Sequence, residues 1–354
     1  MTSREPAGGC AVPSANPPQL SVLDTSPVTT DRSPSMAVAD TVALAKAAET
    51  YGYRRFWVAE HHASRGSAGT SPEVLTGIIA SATTRMRVGA GGVMLLNHSP
   101  FHVAEIFRTL AGVFPGRVDL GVGRAPGGSK EAVRALRAYG ERAGATLDDY
   151  PAHLSSLLEH LSTGFDDPVQ RGAPVAMPDG VCSPPLWLLG SSLHTAEIAG
   201  RLGANFAFAG HFKSVDQKMA EAAFEHYRSV AESAGQVPRG SLLTVAAVCA
   251  RTPAAAERLK AAAVLANVRK QMRIPGLLLN SAEVARHTWS PEEIAVADAL
   301  APDTVVSGTP GQVRDALIEV ARATGVEEIM INNVIADKDE RHRSYKLIAD
   351  SLRS

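Results

Sequence analysis

From about residue 20 to the end of the chain, short apolar runs alternate with longer stretches of helical period. The first run is Leu20-Ser21-Val22-Leu23-Asp24, and seven more follow at 56–59, 88–95, 117–122, 186–189, 205–208, 242–248 and 328–331. The runs are continuously apolar rather than alternating, the pattern of strands in a parallel sheet that is covered on both faces. Between them, Ser33-Pro34, Ser71-Pro72, Ser99-Pro100 and Thr309-Pro310 share one helix-opening device. A hydroxyl caps the free amides, and proline at the first helical position loses no hydrogen bond. The first helix is expected over 34–51, with Val38, Val42, Ala45 and Ala48 on its apolar stripe and Gly52 as its stop.

Eight such strands with helices between them predict an α/β fold, a (β/α)8 TIM barrel, ahead of an open doubly wound sheet. Two connections are too long for plain loops. Residues 123–146 follow the fourth strand. Residues 268–303, which contain Ile274-Pro275-Gly276 and two further helical patches, follow the seventh and are the candidate mobile cover. No internal repeat or second domain is evident, so residues 19–354 read as one barrel. Residues 1–18, rich in Pro, Ala, Gly and Ser, read as a disordered tail.

Composition narrows the partners. Charged residues make up 20% of the 354, with a formal net charge of −1. That balance points to a small molecule and away from nucleic acid or an anionic membrane. Cys10, Cys182 and Cys249 show no metal-binding or disulfide spacing. With neither a signal peptide nor a bilayer-length apolar run, a cytoplasmic location is expected.

Barrel active sites lie at the carboxyl ends of the strands. Polar residues and glycines gather there: Ser26, Glu60-His61-His62, Gly91-Gly92, then Met94, Leu96 and His98, Arg124, Gly190-Ser191-Ser192, and His211-Phe212. Glu60-His61-His62 has donors that suit zinc or iron. Adjacent residues diverge at a strand end, however, and no matching pair stands at the other ends, so no metal is expected. His98 and His102, separated by a helix start, read as a loop histidine and a helix-surface histidine. Gly190-Ser191-Ser192 before a helix supplies free amides, hydroxyls and the positive end of a helix dipole, a phosphate cradle. Arg124 adds a cation whose planar fork suits phosphate.

Three segments, 56–62, 88–94 and 116–124, resemble in order and spacing the signatures of bacterial-luciferase-like flavin monooxygenases. The resemblance extends from about Leu20 through Val305-Val306-Ser307-Gly308-Thr309-Pro310 to Leu352. It implies FMN as cofactor, delivered reduced by a separate flavin reductase, and a flavin C4a-hydroperoxide that passes one oxygen atom to a small organic substrate. His61 matches the histidine beside the reactive flavin edge, and Gly91-Gly92 a non-proline cis peptide under the flavin ring. Arg124, Gly190, Ser191, Ser192 and Thr195 match the phosphate-binding positions, and Ser26 is placed with the cofactor residues. Met94, Leu96, His211 and Phe212 are expected to line an apolar substrate pocket, and a homodimer is expected because relatives commonly form one.

Two departures stand out. Ser191 replaces an acidic residue of luciferase, and Gly123 replaces its reactive cysteine, so light emission is not expected. The motif set also resembles members that tailor actinomycete polyketides, which would place the enzyme in antibiotic biosynthesis. A deazaflavin-dependent oxidoreductase and a non-catalytic flavin-binding protein are the alternatives.

Overall fold

The structure, a computed structural model, describes residues 17–138, 146–162, 164–165, 174–211, 217–274, 276–300 and 305–353. Nine parallel strands, β1 (Gln19–Asp24), β2 (Arg55–Val58), β3 (Arg87–Met94), β4 (Val118–Gly123), β5 (Leu186–Gly190), β6 (Asn205–Phe208), β7 (Ser241–Cys249), β8 (Val306–Gly308) and β9 (Glu328–Asn332), form a sheet that closes on itself. β1 to β7 and β9 make the eight-stranded barrel, which β9 seals by pairing with both β7 and β1. All eight predicted runs are barrel strands. β8 was not foreseen; it lies in the Val305–Pro310 stretch and extends the upper end of β7, pairing with Ala247 to Cys249. Three residues, two half-buried and one buried, are too few to show a period.

Helices alternate with the strands. α1 (Pro34–Thr50), α2 (Pro72–Ala82) and α3 (Pro100–Val113) start at the predicted prolines. Ser33 and Ser99 accept the expected capping bonds from the amides of Met36 and His102, whereas the Ser71 side chain makes none. Tyr51 caps α1, and Gly52 follows with a left-handed φ of 80°. The buried face of α1 runs through Ala37, Thr41, Leu44, Ala45 and Ala48, leaving Val38 and Val42 only partly buried. The stripe is rotated because Thr41 belongs to it: its hydroxyl reaches Asp24 (3.1 Å) and Ser26 (2.9 Å), so a polar residue packs inward.

After β4 come α4 (Lys130–Leu136) and α5 (Tyr150–Ser162); α6 (Leu193–Leu202) and α7 (Gln217–Ser233) flank β6. The long connection after β7 holds α8 (Pro253–Gln271) and the two expected patches, α9 (Ser281–Arg286) and α10 (Pro291–Asp298). It is docked over the barrel mouth: the Leu278 amide donates to Val28 (2.9 Å), and the Thr30 amide donates to Leu278 (3.2 Å). α11 (Pro310–Thr324) and α12 (Lys338–Arg353) complete the ring. The expected tail lies outside the described residues except for 17 and 18. No helix among the described residues is long and apolar enough to cross a membrane.

The barrel interior is layered. Leu23, Trp57, Trp187, Leu242 and Met330 fill its middle as one apolar cluster, with the two indoles edge to face at 5.3 Å. Beneath them Arg55, 3% exposed, bonds to Glu328 (2.5 and 2.9 Å) and to Asp119 (2.7 Å). Asp119 also accepts from Trp57 Nε1 (3.1 Å) and from Arg87 (2.6 and 3.0 Å), and Ser21 donates to Glu328. Removing one member of a buried charged set leaves its partners uncompensated, at a cost of about 3–5 kcal/mol. Arg55→Ala is therefore expected to destabilise the fold by about that amount in denaturant unfolding; a loss below about 1 kcal/mol would refute this account of the floor.

Candidate functional site

At the mouth, β3 carries a cis peptide between Gly91 and Gly92. Neither residue has room for a side chain. A Cβ on Gly91 would lie 2.9 Å from Leu23 Cδ1 and 3.0 Å from the Trp57 side chain, and one on Gly92 would lie 2.8 Å from the Gly121 carbonyl oxygen. The strand thus presents bare backbone just below the polar residues of the rim.

One end of the mouth is cationic and rich in donors. Ser192 caps α6, its Oγ accepting the Thr195 amide at 3.5 Å, so the helix start points out of the strand end beside Ser191. Gly190 lets α6 approach closely, because a Cβ there would fall 2.7 Å from Thr195 Cβ. Arg124 follows β4, the neighbour of β5, and among the described residues no carboxylate forms an ion pair with it. Its charge acts on Tyr150, a residue not singled out in the sequence. The Tyr150 hydroxyl is buried and has no hydrogen-bond partner; burial pushes its pKa well above the ordinary phenol value, and Arg124 pulls it partly back. Tyr150 escapes sequence inspection because it sits in a helix start with no motif, far along the chain from Arg124. Arg124, the start of α6, two serine hydroxyls and the Tyr150 phenol are the groups at this end whose chemistry suits an anion.

The other end is built of imidazoles. His61 follows β2, its amide donating to the Gly69 carbonyl (2.7 Å), and its buried Nδ1 has no partner. Burial first, then the positive charge of Lys270, lowers its pKa to about 4, against the opposing pull of Glu60. His211, after β6, is pushed down to about 3 by burial, by Lys270 and by His61. Lys270, near the end of α8, brings the long connection into the site; as a lone lysine on a surface-like helix it carried no signal in the sequence. Sign and window follow from the lowered value: below about pH 6.5 the unfolded chain gains a proton at His211 that the folded chain refuses. Stability from this group is thus full above about pH 6.5 and falls as pH drops toward 3. Replacing His211 with Phe is expected to flatten the loss of unfolding free energy between pH 6.5 and 4, and an unchanged slope would refute the assignment.

Glu60 and His62 are bonded to each other in the segment that follows β2. Glu60 Oε2 accepts the Met94 amide (2.9 Å), and Oε1 lies 2.7 Å from His62 Nε2 and 2.9 Å from His98 Nε2. Burial alone would raise the Glu60 pKa, but the bonds from His98, His62 and Met94 outweigh it and hold the carboxyl below its ordinary value. His98 is a loop histidine, as expected, in the bend before α3. The turn Leu95–Asn97 folds it back onto Glu60. His102 lies on the exposed face of α3, as expected.

Two other expected site residues stand elsewhere. Ser26 is fully buried, with its hydroxyl accepting from Thr41 and its amide donating to Asp24, so it shapes the β1 turn and offers no accessible group. Leu96 is packed in the core between barrel and helices rather than facing a pocket. Phe212 lies outside the described residues. Met94 is half-buried beside Gly123 and Gly127 and does face the mouth.

Comparison with known proteins fits this geometry. The family model described as luciferase-like monooxygenase matches residues 19–328. A luciferase-like monooxygenase of Escherichia coli is 35% identical over 94% of this chain and 96% of its own. An N-acetyl-S-alkylcysteine monooxygenase of Bacillus subtilis is 32% identical over 94% and 98%. The crystal structure of apo-MsnO8 superposes with a TM-score of 0.84 at 34% identity, covering 95% of this chain and 98% of that one.

Proposed function

The chain belongs to the luciferase-like monooxygenase family, and we propose that it uses reduced FMN and molecular oxygen to insert one oxygen atom into a small organic substrate. The carrying observation is the separation of two ends across the same strand mouth: among the described residues, a cation without an ion-pair partner, a helix start and an unpartnered phenol at Arg124, Ser192 and Tyr150, and a neutral imidazole with an unpartnered Nδ1 at His61. The residues fit FMN, because the orphaned Tyr150 hydroxyl lies in the field of Arg124 and suits an anionic phosphate, while Gly91-Gly92 carries no side chain that a flat ring would have to displace.

Arg124 would hold the phosphate through its planar donor fork, with Ser191, Ser192 and the free amides of α6 completing the shell. Bare backbone at Gly91-Gly92 would support the ring. When bound, reduced FMN supplies the two electrons that activate molecular oxygen, one atom entering the product and the other leaving as water. His61, held neutral, is placed to accept or return a proton at Nδ1. The docked connection carrying Lys270 and Leu278 excludes water from that end. Reduced flavin would come from a separate reductase. Met94 and His211 would border the substrate.

With reduced FMN, isotope-labelled molecular oxygen and a panel of thioether and aromatic substrates, the label is expected in an organic product. Label drawn instead from water would overturn the reading, as would retention of a deazaflavin with indifference to reduced FMN. Arg124→Ala is expected to weaken FMN binding by about 2–3 kcal/mol, read by quenching of flavin fluorescence. His61→Ala should bind FMN almost normally while losing product and releasing more hydrogen peroxide. The opposite pairing of effects would show the roles to be wrongly assigned.

A further inference from the structure

Glu60, His62 and His98 form a cluster that the oxygenation chemistry does not use. Each offers one ligand atom, and the three atoms lie within 4.8 Å of one another. They come from two separate segments, the end of β2 and the turn after β3, and both imidazoles present Nε2 to the same carboxylate oxygen. The other oxygen, Oε2, is fixed by the Met94 amide, so the carboxylate is oriented from behind by backbone, as ligating carboxylates usually are. His62 is braced in turn, its amide donating to the Gly127 carbonyl at 2.7 Å. Glu60 is fully buried, whereas the side chains of His62 and His98 are 14% and 27% exposed, so the open side of the cluster faces solvent.

We propose that Glu60 Oε1, His62 Nε2 and His98 Nε2 form a binding site for one divalent ion of zinc's borderline softness, with water in the fourth position. Two imidazoles and one carboxylate are a ligand set that zinc accepts, and their formal charge of −1 suits a dication. Tetrahedral zinc with bonds of about 2.0–2.1 Å sets neighbouring ligand atoms roughly 3.3 Å apart. The present separations of 2.7 and 2.9 Å therefore need to open by only about half an ångström, within the reach of two partly exposed rings. Such an ion would tie the segment after β2 to the turn before α3, with His61 between two of its ligands in the chain. The site was discounted in the sequence because no second group of donors was visible; His98 is that group, supplied by the fold.

The test uses the full chain after stripping with a chelator. Zinc competed against a chromophoric chelator should bind in one equivalent, and Co(II) should give the visible absorption of a low-coordinate nitrogen and oxygen site. His98→Gln keeps an amide donor for Glu60, and so preserves a purely structural bond, but removes the imidazole ligand. It is expected to weaken zinc by about tenfold or more and to abolish the cobalt spectrum. His102→Ala, on the exposed face of α3, should bind like the parent. Zinc should also raise the melting temperature of the parent and not of His98→Gln, a readout independent of any shared loss of stability. Failure of the parent to bind one equivalent, or equal binding by His98→Gln, would overturn the proposal and leave the cluster as a hydrogen-bonded strut.

Discussion

Everything at the mouth of the barrel rests on the charge set in its floor. Arg55 comes from β2, Asp119 from β4 and Glu328 from β9, so one guanidinium ties together strands on both sides of the closure. An arginine can do this because its fork reaches two carboxylates at once in fixed directions. Its flat face lies 4.7 Å from the centre of the Trp187 ring and 5.6 Å from that of Trp57, which seal it from the mouth. The register of β2 against β1 and β3 follows from that seating, and the same register sets where Glu60, His61 and His62 emerge.

Glu60 plays at the top a part comparable to that of Arg55 below. It is a buried charge whose satisfaction requires groups from separate segments, here the Met94 amide and two imidazoles. A carboxylate out of contact with water is costly unless each oxygen finds donors. The turn after β3 is therefore constrained to bring His98 back, and with it the backbone that runs up from Gly91-Gly92. The position of the bare backbone and the position of the histidines are consequences of one another.

How far this was legible in the sequence depends on which physics was local. Continuous apolar runs and Ser-Pro helix starts are local, and they located all eight barrel strands and α1, α2, α3 and α11. The cluster at Gly190, Ser191 and Ser192 was legible for the same reason, since a cap and a close approach are decided within a few residues. The long-range polar bonds were not. Thr41 turned the face of α1 inward through a bond to a residue fifteen positions away; Ser26 was taken for a ligand when its hydroxyl closes the same network. His98, Lys270 and Tyr150 acquired partners only when distant segments met. β8 was too short to have a period. In each case the deciding term is a hydrogen bond or a field across the fold, which apolar patterning cannot encode.

The end of β2 shows how one short segment serves two chemistries. Just beyond the strand, Glu60 and His62 bond to each other, while His61 Nδ1 is bonded to neither. At Glu60 a carboxylate collects imidazoles and holds its own charge. At His61 an imidazole is kept neutral by burial and by the field of Lys270, with a buried Nδ1 that no group among the described residues engages. The two histidines are thus driven to opposite tasks by partners rather than by position in the chain. A neutral imidazole suits proton transfer near a reacting group only if no carboxylate fixes it as an imidazolium. Glu60, with Oε1 engaged by His62 and His98 and Oε2 by the Met94 amide, still pulls on His61, but burial and the field of Lys270 outweigh it and keep that ring neutral.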